Sequence, residues 1–447
     1  MRHTAFQWLV ISSLLLAMVV TAGARTRPRY GGTLRIEVSA SLWDPNGIGR
    51  SLTTETLTRV DEQGRVQPWL AMTWESQNRD RRWLISLRPD VKFHDGTQLT
   101  AASVADILGG CTSCPWKSVQ LSGDKVVFEL DTPSPLFPAQ LATAHFGIAK
   151  AGVNGAPIGT GPMRVTQSTP TSATLVAFDS YWNGHTFVDS VEITASRKLR
   201  DQWLDLGVGR ADIAEVPAEQ ARRAQQEHLR VVTSRNDELI VLVMNNASAT
   251  MQNTALRQAV AESVDRASLL NFIFQRQGEL TAGLLPNWIS GYAMVFSTAQ
   301  NMQHAKELRA QLSQAPSLTM TYDPADASLQ LVAERLALSA RETGINIRTV
   351  PSPAHWDLSV VRVRLSSFQP SVALEDIVGT IGIDHKTPDD STPDALFQRE
   401  RELLKNYQLV PLLYVPNGFA ASDRVRNWRL NDRGLPDFDT LWTEVRK

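Results

Sequence analysis

Residues 83–104 read WLISLRPDVKFHDGTQLTAASV and combine a strand, a tight turn and the start of a helix. The β-prone run 83–87 predicts the strand. The segment 94–96 contains a turn-forming Asp-Gly pair, so we interpret it as a turn rather than a site. Thr100 then stands where a helix N-cap is expected. A strand followed closely by a helix is the first indication of a mixed α/β chain.

The same alternation continues away from this block in both directions. A strand over 318–322, a helix over 327–342 and a strand over 345–350 form the unit of a parallel sheet. Another strand, 239–244, precedes an amphipathic helix over 253–264. At 447 residues, the chain is long enough for two or three such α/β domains.

The composition is that of a globular protein. Hydrophobic residues make up 43% and charged residues 20% of the chain, and the formal net charge is -1. Neither a basic nor an acidic excess is present to attract nucleic acid or an anionic membrane surface. We therefore expect no nucleic acid partner and no membrane association of the mature chain.

The N-terminus predicts export. Arg2 precedes an apolar run over 8–20, which ends before the small residues 21–24. This pattern indicates a Sec-type signal peptide, residues 1–24, because the run is too short to span a bilayer. The basic residues at 25, 27 and 29 leave an uncleaved anchor as the alternative. No Cys lies near the cleavage site, so we expect a periplasmic protein without a lipid anchor.

The two cysteines, Cys111 and Cys114, form a C-x-x-C pair. A redox site would place the first Cys at the start of a helix that lowers its pKa. Here a helix over 101–108 ends at two glycines just before the pair. The pattern favours a local structural disulfide, while free thiols and redox or metal chemistry remain alternatives.

The sequence lacks the familiar motifs of an enzyme. It contains no G-x-S-x-G, no H-E-x-x-H, and no phosphate loop after Gly161. Eight scattered His give no cluster for a metal, and we interpret Glu375 and Asp376 as opposite faces of a strand. We expect a non-enzymatic protein with no catalytic residue, no metal site and no cofactor.

Tryptophan is unusually frequent, with twelve residues. Most, including Trp69 and Trp182, lie in apolar contexts and are assigned to the core. Trp288 and Trp356 lie in loop-like contexts and are candidates for lining a cleft between domains, where small ligands commonly bind.

Several segments of this chain match the pattern of a known family. They are YGGTLRI at 30–36, TRVDEQGRVQPWLAMTW at 58–74, the block 83–104, GTGPM at 159–163, FDSYWNGHTFVDSVEI at 178–193, GRADIAEVP at 209–217 and TALRQAVAESVDRASLL at 254–270. In content and in order they closely resemble the extracytoplasmic solute-binding proteins of peptide- and nickel-type ABC transporters, bacterial family 5. The resemblance covers nearly the whole mature chain.

The resemblance implies a two-lobed periplasmic binding protein-like fold of type II, similar to cluster C. Both lobes are α/β and a hinge joins them, with the chain crossing near the strand 239–244 and the strand at Val410. The implied domains are lobe one, an inserted subdomain of lobe one, and lobe two: 25–67 with 156–235 and 411–447; 68–155; and 236–410.

The resemblance also implies a function. A solute binds between the hinged lobes, and the closed form delivers it to an ABC transporter permease. We expect a monomer whose ligand is an oligopeptide or a modified peptide. A non-peptide solute, such as a nickel complex, a sugar or an opine, is the alternative, and so is a sensor or chaperone that has lost its transporter.

The chain departs from the family where peptide binders carry an Asp that pairs with the peptide amine. The matching stretch follows the strand 357–365 and has no acidic residue, while Arg362 and Arg364 precede it. We hypothesise that these arginines meet an anionic or neutral part of the ligand. Alternation along the strand puts both on one face, which could instead be the outer face.

Further ligand-binding candidates follow from the family's geometry, and each could also be structural. Together with the two tryptophans and two arginines above, they are Ser39, Ser41, Thr54, Asn245, Phe368 and Tyr414.

Overall fold

The computed structural model describes residues 28–111, 114–292, 296–312, 317–383 and 392–444. The predicted signal peptide lies outside these ranges. Within them, no helix has the length and the apolar character needed to cross a membrane.

Strands and helices alternate along the described residues. The strands are β1 (Thr33–Glu37), β2 (Thr58–Val60), β3 (Val66–Pro68), β4 (Ala71–Gln77), β5 (Arg82–Leu87), β6 (Ser118–Ser122), β7 (Lys125–Glu129), β8 (Ala149–Ala151), β9 (Pro157–Gly159), β10 (Met163–Ser168), β11 (Ser172–Ala177), β12 (Ser190–Thr194), β13 (Ile213–Glu215), β14 (Arg230–Met244), β15 (Glu279–Leu280), β16 (Ser317–Tyr322), β17 (Asn346–Thr349), β18 (Leu358–Arg364), β19 (Leu409–Ala421), β20 (Val425–Arg426) and β21 (Trp442–Thr443). The α-helices are α1 (Ile48–Thr53), α2 (Ala101–Gly109), α3 (Phe137–Gln140), α4 (Leu199–Gly207), α5 (Ala221–Gln226), α6 (Thr254–Glu262), α7 (Arg266–Ser268), α8 (Asn287–Ser290), α9 (Met302–Ala310), α10 (Ala327–Arg341), α11 (Pro370–Ile381) and α12 (Pro393–Leu404).

One large sheet runs through both lobes in the order β10-β11-β12-β1-β13-β19-β14-β18-β16-β17, with β15 added to β19. Its two central strands, β14 and β19, are long and pair antiparallel from Arg230 opposite Ala421 to Val243 opposite Leu409. One end of this pair adjoins β13 and the other adjoins β18. Two α/β lobes joined by two crossing strands confirm the predicted two-lobed class.

Lobe one is built around parallel pairing of β1 with β12 and β13. Alternate residues of β1, Leu34 and Ile36, are buried against Val191 and Ile193 of β12. The carboxyl ends of these parallel strands point toward lobe two. In open α/β sheets such an edge is where ligands bind.

The inserted part of lobe one is a four-stranded antiparallel sheet, β4-β5-β7-β6, covered by α2. It lies within the range 68–155 expected from the sequence. Thr100 caps α2 as expected, in a capping box with Ser103. Cys111 and Cys114 follow α2 and are joined in a disulfide, with Cα atoms 5.9 Å apart.

Lobe two packs helices on both faces of its sheet. Ile240 and Leu242 of β14 face α6 and α10, whereas Leu239 and Val241 face α11 and α12. Burial on both faces explains why the second half of β14 is a continuous apolar run rather than an alternating one.

Two sequence-based assignments need correction. Glu375 and Asp376 lie on α11 and not on a strand, because Gln369 caps a helix whose first residue is Pro370. The first crossing strand begins at Arg230 rather than at residue 239. Its first half is polar, so hydrophobic periodicity did not reveal it.

Candidate functional site

A cavity of about 170 Å³ lies between the lobes, and we call it the cleft cavity. Its lobe-two wall is the loop that follows β18, Leu365–Phe368. Its lobe-one wall comes from the segment after α1, from a loop before β12 and from the C-terminal region. The lobe-one residues used below are Thr54, Glu55, Arg59, Trp69, Tyr181, Asp432, Arg433, Asp437 and Asp439.

A buried carboxylate organises the lobe-one wall. One oxygen of Glu55 accepts hydrogen bonds from Trp69 Nε1 at 2.8 Å and from Tyr181 OH at 2.9 Å. The other accepts from Thr160 Oγ1 at 2.8 Å and from Trp182 Nε1 at 3.0 Å. Burial raises the pKa of Glu55 although four donors favour its charged form. We call these five residues the Glu55 network.

Arg59 rests on this network. Its guanidinium carbon lies 3.1 Å from the ring centroid of Trp69, a cation–π stack. The side chain remains open to water in the cleft, although the surrounding protein lowers its pKa by desolvation. In the described part of the chain, Arg59 has no carboxylate within 4 Å.

Arg433 enters the same cavity from the C-terminal region. Its Nη2 donates a long hydrogen bond of 3.5 Å to the Ala142 carbonyl. Burial and the neighbouring Arg59 lower the pKa of Arg433 to about 10, so it stays protonated at neutral pH. Two like-charged guanidinium groups thus lie along one small cavity.

Acidic side chains line another part of the cleft cavity. Asp437 is bound by Arg429 at 2.6 Å. Asp432 and Asp439 have no such partner among the described residues, and burial raises the pKa of each carboxyl above its usual range. The cavity therefore contains both signs of charge.

The lobe-two wall is held by fewer bonds. The Leu365 amide donates to the Asp237 carbonyl at 2.8 Å. Phe368 packs edge-to-face on Trp288, with ring centroids 5.3 Å apart. The Phe368 carbonyl also lies 2.9 Å from the point where a Cβ of Gly64 would stand. The hairpin turn of lobe one thus touches this loop directly.

Three of the predicted site residues lie at or beside the cavity. Thr54 and Phe368 line it, and Trp288 supports Phe368 from behind. Arg364 lies at the lobe interface, where its Nη1 approaches the Asn46 carbonyl at 3.5 Å. Its Nη2 is 3.4 Å from Glu238.

Two other predictions are contradicted by the contacts. Tyr414 is completely buried, and its hydroxyl donates to the Leu284 carbonyl, so no ligand can reach it. Arg362 uses all three guanidinium nitrogens on Asp326, Glu238 and Ser328, at 2.7–2.8 Å. Three of its five guanidinium N–H donors are thus engaged inside the protein, which assigns Arg362 a structural role.

The remaining candidates lie outside the cavity lining. Asn245 follows the end of β14 that is remote from lobe one, and its Nδ2 donates to the Trp356 carbonyl at 2.8 Å. This position does not suit either residue for cleft binding. Ser39 and Ser41 follow β1 at the cleft edge, where Ser39 Oγ donates to Glu215 at 2.6 Å.

The sequence reading missed the residues that dominate the lobe-one wall: Glu55, Arg59, Tyr181 and Arg433. Trp69 and Trp182 pack against the core as predicted, and each also donates a hydrogen bond to the Glu55 carboxylate, which was not predicted. The stretch TETLTRV, 54–60, was the one indication of this wall in the sequence, since it places the charged residues Glu55 and Arg59 beside apolar residues.

No group of three or more His, Cys, Asp or Glu in the described ranges is arranged to hold a metal ion. The cleft offers polar donors and acceptors and an apolar ring surface, which suit non-covalent binding.

Comparison with known proteins identifies similar chains. The model of the bacterial extracellular solute-binding proteins, family 5 (middle region), matches residues 65–376. The nickel-binding protein NikA of Staphylococcus aureus is 22% identical over 361 residues, which is 75% of this chain and 73% of NikA. The HTH-type transcriptional regulator SgrR of Pectobacterium atrosepticum is 23% identical over 86% of this chain and 71% of SgrR.

A solved structure shows the same fold. The oligopeptide-binding protein AppA of Bacillus subtilis, in complex with a nonapeptide, matches with a TM-score of 0.78 at 18% identity. The match covers 94% of this chain and 100% of the AppA chain. At this identity the likeness establishes the two-lobed architecture and leaves the ligand open.

Proposed function

Because this chain belongs to family 5 of the bacterial extracellular solute-binding proteins, we propose that it captures a small solute between its lobes and delivers it to an ABC transporter permease. The observation that carries the proposal is the cleft cavity, which has walls from both lobes. A solute that contacts both walls stabilises the closed arrangement, because its contacts with the second wall exist only when the lobes meet.

Contacts between the lobes support this reading. Gln140 of the inserted subdomain donates to Glu375 of lobe two at 3.1 Å. Arg364 and the Gly64 turn add contacts on either side of the cavity. These contacts are few and polar, which suits an interface that must open again to release its cargo.

The size of the cavity favours a small ligand. An apolar cavity of roughly 150 Å³ is enough to bind benzene. The cleft cavity, at about 170 Å³, has comparable room, so a small solute would fill it. An oligopeptide ligand stays a prediction from sequence, and the geometry favours the smaller non-peptide or single-residue solutes.

Export supports the proposed role. The predicted signal peptide would release the mature chain into the periplasm, where it would meet both the solute and the permease. N-terminal sequencing of the exported protein tests cleavage after Ala24.

Native mass spectrometry of the intact exported protein tests the binding function. Wild-type protein purified without denaturation should retain a small molecule that is released on unfolding. Ser367→Trp should abolish retention by filling the cavity from the lobe-two wall. Ser122→Trp, on the exposed edge strand β6, is the matched control and should retain the solute.

Two results would contradict binding in the cleft. One is equal retention of the solute by wild type and Ser367→Trp. The other is an absence of any bound molecule, together with no binding of added amino acids, dipeptides, sugars or metal complexes.

Sensing is a second candidate, favoured by the similarity to SgrR, which is named as a transcriptional regulator. Both candidates require solute binding, so uptake distinguishes them. Deleting the gene should abolish import of the identified solute if the protein serves a transporter. Unchanged import would favour a sensor.

A further inference from the structure

Arg59 and Arg433 define the chemistry of the ligand. We propose that the solute carries a single carboxylate, held between the guanidinium groups of Arg59 and Arg433. This inference rests on the proposed function, since it names the ligand class of the same cleft.

The stack of Arg59 on Trp69 prepares it for a carboxylate. A cation–π stack uses the face of the guanidinium plane and leaves the in-plane N–H groups free. Those N–H groups form the fork that matches the two oxygens of a carboxylate. Because Trp69 is fixed by its bond to Glu55, little entropy is lost when Arg59 engages an anion.

Arg433 supplies the second cation. Two guanidinium groups in one small cavity repel each other, and Arg59 is among the charges that lower the pKa of Arg433. A bound anion between them removes this repulsion.

Other arginines of this protein show what a structural role looks like. Arg257 donates from Nε to the Asn406 carbonyl at 2.8 Å, and Arg266 donates to the Pro411 carbonyl at 2.9 Å. The guanidinium of Arg59 makes no hydrogen bond to another group of the described residues, and that of Arg433 makes one at 3.5 Å. The two buried arginines are satisfied by the chain, whereas the two exposed cleft guanidinium groups are available to a partner from outside the chain.

The acidic part of the cavity limits the ligand to one anionic group. Asp432 and Asp439 line the same space. A second carboxylate near them would meet like charge. The ligand class is therefore a small monocarboxylate, and a cationic group elsewhere on it would be tolerated.

Isothermal titration of the intact mature protein tests this inference with three probes of similar size. They are N-acetylglycine, its neutral amide N-acetylglycinamide, and the dicarboxylate N-acetylaspartate. N-acetylglycine should bind at least about tenfold more tightly than the other two. Arg59→Gln and Arg433→Gln should each remove the preference for the acid over the amide.

Two further variants separate recognition from folding. Arg210→Gln removes an exposed arginine that pairs with Asp205 away from the cleft, and it should bind like the wild type. Arg59→Lys keeps the charge but loses the planar fork, so its preference for the acid should be intermediate. Thermal unfolding without ligand confirms that each variant is folded.

The outcomes distinguish this inference from the proposed function. Equal affinity for the acid and the amide, or an unchanged preference in both Gln variants, overturns the carboxylate and leaves solute binding intact. If no probe binds, retention of the native solute by both Gln variants in mass spectrometry also overturns it. Absence of every ligand from the wild type would instead contradict the proposed function.

Discussion

The lobe-one wall of the cleft rests on a buried carboxylate with four hydrogen-bond donors, whereas the lobe-two wall is a loop, Leu365–Phe368, held by isolated bonds. The four hydrogen bonds of the first wall all lie within lobe one, so they do not depend on contact between the lobes. The second reaches the cavity only when the lobes close. If a solute binds as proposed, this difference predicts that it docks on lobe one first and that lobe two then covers it.

Of the substitutions that test this difference, Glu55→Ala should have the largest effect on stability. Four donors would lose their acceptor in a site that excludes water, and we expect the free energy of unfolding to fall by about 3–5 kcal/mol. Urea unfolding followed by tryptophan fluorescence measures the loss. Glu192→Ala, an exposed strand carboxylate, is the control and should change stability by less than about 0.5 kcal/mol. A loss no larger than the control's would show that the network does not hold the wall.

Lobe two has a buried carboxylate of its own, Glu400, which should make the stability of the protein depend on pH. Glu400 accepts hydrogen bonds from the Leu284 and Leu285 amides and from the Tyr292 hydroxyl. Burial nevertheless raises the pKa of Glu400 to about 8. Since this folded-state pKa lies above the ordinary value of 4.5, its stabilisation is complete below pH 4.5 and is lost as the pH rises through 8.

The free energy of unfolding should therefore decrease from about pH 5 to about pH 8, by about 1 kcal/mol per pH unit at the steepest point. Urea unfolding at a series of pH values measures this slope. Glu400→Gln, which stays neutral, should make it shallower. Glu402→Gln, an exposed neighbour whose pKa is lowered by Lys405, should leave it unchanged. An equal slope in wild type and Glu400→Gln would refute the assignment.

Gly64→Ala should have the smallest effect and tests the contact between the two walls. Gly64 has φ +76°, and an added Cβ would lie 2.9 Å from the Phe368 carbonyl. Gly96→Ala is a matched control, because Gly96 has φ +84° with nothing within 4 Å of the added carbon. Both should lose about 1–2 kcal/mol from backbone strain.

Only Gly64→Ala should also push the lobes apart. Small-angle scattering of the ligand-saturated protein should show a larger radius of gyration for Gly64→Ala than for Gly96→Ala. Identical scattering would mean that the turn does not limit closure.

Local signals explain what the sequence could reveal about the fold. Thr100 and Ser103 form their capping box within four consecutive residues, so the helix start was readable. By contrast, Glu375 and Asp376 are predicted on a strand but lie on α11, which is rich in β-branched residues. Its Gln369 cap and the Pro370 at its first position are the signals that could have identified it.

The candidate site was less accessible to sequence reasoning. Arg59 and Arg433 come from nearly opposite ends of the chain, and only the folding of the C-terminal region back onto lobe one brings them together. No spacing rule links such residues. Tyr414 was a wrong choice of ligand-binding residue for a related reason. Alternation along β19 predicts which face of the strand Tyr414 occupies, but it does not predict that helices cover that face.

The crossing strands also connect lobe two to the rest of the chain at a single place. Asn236 of β14 pairs with Pro416 of β19, so the chain enters and leaves this lobe through neighbouring residues. A segment whose two ends are adjacent can be exchanged between related proteins without rerouting the rest of the chain. Grafting residues 236–416 from a relative would thus change the cover of the cavity while keeping the arginines beneath it, and evolution could alter selectivity by the same exchange.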